Sequence, residues 1–187
     1  NYIGPLLDSI EISWRTVPII PPPPPSGVIL TDSEMDFHKG DFSSYFLSWG
    51  DYKDYESVDS SYILIQVDTT QTVNNNGRKA YPILIQNKSV DTVYVGYESV
   101  IPVITEAKDQ NGVWKPIEER YVFMCGVGLH SIILPPEEIV ITTELMYQGD
   151  YQTKMRIKLG SNYSNEFSGS MNLSQFESEW DENGNKK

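Results

Sequence analysis

Alanine is nearly missing from this chain. Of 187 residues only Ala80 and Ala107 carry that side chain, where a soluble protein of this length holds on the order of 15. In its place stand 18 Ile, 14 Val and 10 Thr. Alanine is the best helix former and β-branched side chains favour the pleated surface of a strand, so the deficit excludes a helical bundle and argues against a doubly wound α/β fold. Basic residues are also scarce. Fourteen Lys and Arg face 26 Asp and Glu, a net charge of -12, which excludes the clustered cations that a nucleic-acid surface requires. Apolar runs never approach 18 residues, so no helical transmembrane segment is expected. The single cysteine, Cys125, rules out an intrachain disulfide without fixing the compartment. The chain opens on Asn1 rather than Met, which fits an exported protein whose leader has been removed, with room for a lipid anchor ahead of residue 1.

What the chain does contain falls into four zones. Residues 1–27 read as an N-terminal extension: a strand between Leu6 and Trp14, then the run Pro21 to Pro25. Five prolines favour polyproline II and span roughly 15 Å. With no basic residue flanking them to orient an aromatic groove, they read as a stiff spacer. Residues 28–59 form an acidic and aromatic segment, expected to pack on the domain that follows. Asp32, Glu34, Asp36, Asp41, Asp51, Asp54, Glu56 and Asp59 are opposed only by Lys39 and Lys53. Phe37, Phe42, Tyr45, Phe46, Trp49, Tyr52 and Tyr55 are crowded among them. Their spacing fits a helix from Asp41 to Gly50 and a strand through Tyr45, Leu47 and Trp49 almost equally.

From residue 60 to 176 the period is two. Ile63, Ile65 and Val67 alternate, as do Tyr81, Ile83 and Ile85, and then Val93, Val95 and Tyr97. Strands follow near Val100 to Thr105, after a turn at Asp109 to Gly112, and at Tyr121 to Met124, Ser131 to Leu134, Ile139 to Thr143 and Glu166 to Asn172. Tyr151 to Leu159 carries the clearest pattern, with Met155, Ile157 and Leu159 on one face and Lys154, Arg156 and Lys158 on the other. Short strands with turns between them predict an all-β antiparallel sandwich. The polar tail, residues 177–187, is expected to be mobile. Asn-x-Ser/Thr matches at Asn87, Asn162 and Asn172 are no more than this composition supplies by chance.

The segments Leu134-Pro-Pro-Glu-Glu138 and Gly149-Asp-Tyr151-Gln-Thr153 resemble the late strands of immunoglobulin-like domains. That resemblance implies a corner tyrosine at Tyr151, its hydroxyl bonded back to the backbone, and makes Trp114 a candidate core tryptophan. Residues 80–176 also resemble uncharacterised exported Ig-like β-sandwich proteins of the Bacteroidota. The similarity runs through Gly112-Val-Trp114, Cys125-Gly126, Leu134-Pro-Pro136, Thr153-Lys-Met-Arg156, Tyr163-Ser-Asn-Glu-Phe167 and Gln175-Phe176. It implies a fold and an exported location, in the periplasm or on the cell surface, and transfers no site.

Chemistry-bearing patterns are sparse. Cys125 and His130 lie within reach of each other across Gly126-Val-Gly128, but nothing marks an oriented base or oxyanion donors, so Cys125 reads as a packed thiol. His38 is the only other imidazole, too few for a conventional zinc site. The acidic segment has no Asp-x-Asp-x-Asp-Gly loop, and a solvated surface is preferred there over calcium. Glu118-Glu119 and Glu137-Glu138 are sequence neighbours, and adjacency does not supply the facing carboxylates of a glycosidase. No catalytic residue, metal ligand or cofactor is expected. Binding residues are expected at Phe42, Tyr45, Trp49, Tyr52 and Tyr55, whose composition with Ser, Gly and Asp suits a contact surface. The function expected is a non-catalytic accessory or structural subunit of the cell envelope, an outer-membrane lipoprotein for example, that binds a protein partner. A carbohydrate-binding module using the same aromatics is the alternative, and an enzyme the third.

Overall fold

A computed structural model of the chain describes residues 2–8, 10, 58–59, 61–97, 100–118 and 131–177, together with the backbone of 46–47. Its strands are β1 (Tyr2–Gly4), β2 (Phe46–Leu47), β3 (Ile63–Val67), β4 (Val73–Asn75), β5 (Arg78–Asn87), β6 (Val93–Tyr97), β7 (Ile104–Lys108), β8 (Trp114–Pro116), β9 (Ser131–Leu134), β10 (Ile139–Leu145), β11 (Tyr151–Leu159), β12 (Asn162–Tyr163) and β13 (Phe167–Met171). A 3-10 turn, Leu173–Phe176, follows β13. The first sheet runs β1-β10-β5-β3, with β4 folded back on β5. The second runs β12-β11-β7-β8, with β13 extending the β12 edge along β11. A third, smaller sheet is β2-β9-β6. Every strand ladder is antiparallel, as the period-two pattern predicts.

The period of two decides which side chains meet. Ile63, Ile65, Ile83, Ile85 and Val140 of the first sheet share one buried cluster with Ala107, Met155, Ile157, Leu159 and Phe167 of the second. Two apolar faces are thus closed against each other as a sandwich. The pattern read along residues 151 to 159 is the one observed, with Met155, Ile157 and Leu159 buried beneath Lys154, Arg156 and Lys158. The first sheet also has a partly apolar outer face. There Tyr2 and Ile139 are buried with Leu7, Ile10, Leu84 and Ile141 around them. A strand precedes the one expected between Leu6 and Trp14: Tyr2–Gly4 pairs with Ile139 to Ile141; of the expected strand, Leu6, Leu7, Asp8 and Ile10 are outside strands, and residues 9 and 11–14 lie outside the described residues. The Tyr2 hydroxyl donates to the Pro5 carbonyl at 2.7 Å, directly after β1. The pentaproline run, the acidic-aromatic segment other than its last two residues and the backbone of 46–47, and the 178–187 stretch of the tail lie outside the described residues.

Two turns use side chains as backbone partners. Asp109 Oδ1 accepts from the Asn111 and Val113 amides, both at 2.9 Å, and its other oxygen meets Lys115 Nζ at 2.8 Å. The Lys115 ammonium, with the Val113 amide, holds this carboxyl below the usual range. Asn87 is fully buried; its amide donates to the carbonyls of Asp91 and Leu134 and accepts from the Ser89 amide and hydroxyl. The sequon at Asn87 is therefore structural.

Where β3 would present a bare edge, asparagines close it. Val67 N–H donates to Asn165 Oδ1 at 2.8 Å and Asn165 Nδ2 returns a bond to the Val67 carbonyl at 3.2 Å. Asn162 Oδ1 accepts from Ile63 N–H, and Ser164 bridges Ile65. The backbone edge of β3 at Ile63, Ile65 and Val67 is thereby paired across the sandwich seam, which removes a template for edge-to-edge association. Asn165→Asp replaces the donor with a second acceptor facing the Val67 carbonyl. The expected cost is about 1–3 kcal/mol with increased self-association, read from urea midpoints and light scattering. An unchanged midpoint would show that the seam contributes nothing.

Candidate functional site

The outer face of the second sheet carries the densest chemistry. Its geometry follows from register. Arg156 stands opposite Glu106, Lys108 opposite Trp114, and Lys158 opposite Tyr163, so all six project from the same side. Glu106 is almost buried, and its Oε2 accepts from Arg156 Nε at 2.8 Å and Nη2 at 2.6 Å. Lys158 Nζ lies 3.8 Å from its other oxygen. The guanidinium sits between two rings, 4.3 Å from the centroid of Trp114 and 3.8 Å from that of Tyr163. Lys108 Nζ approaches Trp114 at 4.7 Å and pairs with Glu166 at 3.4 Å. Each such cation–ring contact is worth about 0.5–2 kcal/mol. The result is a rigid layer of aromatic and guanidinium planes, with Lys154 exposed beside it. Trp114 is thus not a core tryptophan: paired with Lys108 of β7, it falls on the outer side and is half-buried there.

Tyr151 does bond the backbone, but across the sheet. Its hydroxyl donates to the Lys108 carbonyl at 3.1 Å, a carbonyl that also accepts from Thr153 Oγ1 at 2.7 Å. Its ring meets Phe176 edge-on, with centroids 6.3 Å apart.

The second site lies inside the sandwich. A narrow cleft is lined by Tyr81, Thr105, Glu144, Tyr147, Met155 and Phe167, with room for little more than one water molecule. Glu144 points inward from β10 because it follows Val140 and Thr142 in the buried register. Burial first, and the neighbouring Glu118 carboxylate second, push its carboxyl up to about 8. Glu118 accepts from the Thr105 amide at 3.2 Å, and Glu144 from the Leu145 amide at 3.1 Å. Tyr147 lies beside both carboxylates; its own burial, and then their charge, hold the phenol neutral. Thr105 is 1% exposed, and its Oγ1, near enough to Glu144 to ease that group's ionisation, makes no hydrogen bond of proper geometry.

Sequence reasoning did not find this pair. It weighed Glu118 only against its neighbour Glu119, whereas the partner is Glu144, brought in by sheet pairing. The available signal was a carboxylate in the core-facing register of β10. The residues expected to bind, Phe42, Tyr45, Trp49, Tyr52 and Tyr55, lie outside the described residues, as do Cys125, His130 and His38. Among the described residues, no helix is long and apolar enough to cross a membrane. No protein-family model, curated protein or solved structure matches this chain.

Proposed function

We propose that the protein is a non-catalytic binding subunit of the cell envelope that docks an acidic surface of a partner protein onto the outer face of its second sheet. One observation carries this reading. In a chain of net charge -12, this face gathers Lys108, Lys154, Arg156 and Lys158 against Glu106 and Glu166, around a guanidinium held between Trp114 and Tyr163. Trp, Tyr and Arg are the residues that dominate protein interfaces, and pre-ordered side chains lose little entropy on binding. The local cations steer an acidic partner towards this face despite the overall charge. The envelope location rests on the resemblance of residues 80–176 to exported sandwich proteins.

Lys154 is exposed beside the layer and Lys158, at its rim, reaches Glu106 only at 3.8 Å, so the double substitution Lys154→Glu, Lys158→Glu tests the reading. Binding to an envelope fraction is expected to weaken with salt for the wild type and to fall at least about tenfold in the variant. Equal capture by both proteins would discard the outer face as the site. A glycan array run on the same samples addresses the carbohydrate reading, for which signal lost in Trp49→Ala and Tyr52→Ala is the expected signature.

A further inference from the structure

The second sheet ends on an open edge at β13. Among the described residues, Phe167–Met171 make no backbone hydrogen bond beyond their ladder with β11. On the same flank Asn162, Ser164 and Asn165 close the seam to β3, and that closure stops just before β13 begins. β13 also lacks the devices that keep an edge from pairing. Its five residues, Phe-Ser-Gly-Ser-Met, hold no charge and no proline, and its register with β11 runs without a bulge. The inward side chains of Phe167 and Met171 are already buried, while Ser168 and Ser170 lie on the outer side, paired with Lys154 and Gln152 of β11. What this edge offers a partner is therefore backbone, flanked by small polar side chains.

We propose that β13 pairs antiparallel with β13 of a second copy of this chain, about a two-fold axis at Gly169. The strand is chemically palindromic about that glycine: apolar, Ser, Gly, Ser, apolar. A two-fold interface requires such self-complementarity. In this register Ser168 faces Ser170 of the second copy and Phe167 faces its Met171, in both directions. Serine pairs of this kind exchange hydrogen bonds across strands. Gly169 meets its own counterpart with no side chain to clash. Just beyond the strand Glu166 faces Asn172, so no like charges stand opposite each other although each copy carries -12. Pairing adds about four to six backbone bonds and joins the sheets in the order β8-β7-β11-β13-β13-β11-β7-β8. The axis is perpendicular to the joined sheet, so both outer faces lie on one side of it. The dimer goes beyond the docking proposed above and does not need it, but it presents the Arg156 layer twice to a repeating acidic surface.

The test uses the full chain in sedimentation equilibrium over a wide range of concentration. Because the apolar side chains of β13 are already buried in each copy, little apolar area is gained, and the dimer should be half-formed only at roughly 10⁻⁵–10⁻⁴ M. Two copies of net charge -12 repel, so added salt should strengthen the dimer, whereas it weakens the docking of an acidic partner. Ser168→Lys with Ser170→Lys sets lysine against lysine twice across the axis and should weaken dimerisation by about tenfold or more, although it relieves the overall repulsion. Ser168→Lys with Ser170→Glu sets lysine against glutamate at the same two places and should restore dimerisation at least to the wild-type level. A wild type that stays monomeric throughout would overturn the proposal, leaving the edge to a strand of another protein. Growth past the dimer would overturn the two-fold pairing, and equal dimerisation in the wild type and both double variants would place the contact elsewhere.

Discussion

Gly149→Ala should destabilise the protein by about 3 kcal/mol or more and lower its melting temperature by roughly 6–12 °C. The reason is space. A methyl group on Gly149 would stand 2.1 Å from the Met171 carbonyl carbon, 2.3 Å from its oxygen and 2.4 Å from the Asn172 nitrogen. All three atoms are backbone, so no rotamer change relieves the contact. The Met171–Asn172 peptide can move only by pulling β13 from β11, where Tyr151 pairs with Met171, and by lifting the fully buried Met171 out of the core. Gly112→Ala is the control. A Cβ there meets nothing within 4 Å, and the cost is only that of φ +76°, about 1–2 kcal/mol. Urea midpoints for the two variants decide the matter, and a Gly149→Ala protein no weaker than Gly112→Ala would refute the close crossing.

Glu144→Gln should stabilise the protein at pH 9 and leave it nearly unchanged at pH 5. In the folded state the Glu144 carboxyl is raised to about 8 from an ordinary 4.5, by burial and by Glu118. Between those values the folded chain holds a proton that the unfolded chain has released. Stability is therefore complete below about pH 4.5, falls as pH rises, and levels off above about 8. At about 1.4 kcal/mol per pH unit the loss is on the order of 5 kcal/mol. Glutamine cannot ionise, and its amide can donate to Glu118 as the protonated acid does, so its stability profile should be flat over the window. Asp68 and Asp109, held below their ordinary value of 3.8 by hydrogen bonds, act in the opposite direction and only in acid. Denaturant titrations at pH 5, 7 and 9 measure the difference between the two proteins; parallel profiles would show that Glu144 is not the group responsible.

The two glutamates illustrate how far the residues alone could lead. Residues 151 to 159 were legible because alternation is local: each inward side chain sits two positions from the next, and Met155, Ile157 and Leu159 are buried as their spacing requires. The turn at Asp109 was legible for the same reason, since its carboxylate bonds amides two and four residues on. Glu144 also lies on an inward face by its register, but nothing near it in the chain says that Glu118 will be its neighbour. Trp114 misled because three residues of β8 are too few for a pattern to say which face is which.

Composition and periodicity by themselves determined the secondary structure and the class: scarce alanine and abundant β-branched side chains leave an all-β antiparallel chain, with one face of each strand apolar. Only the tertiary structure decided which faces meet and which charges become partners. The Arg156 layer needs β7, β8, β11 and β12 in one register. The Glu118–Glu144 cleft needs two sheets closed on each other. Both depend on pairings between residues 26 to 50 or so positions apart, and separation of that kind leaves no trace in a local pattern, because side-chain period records which way a residue points and not what it will face.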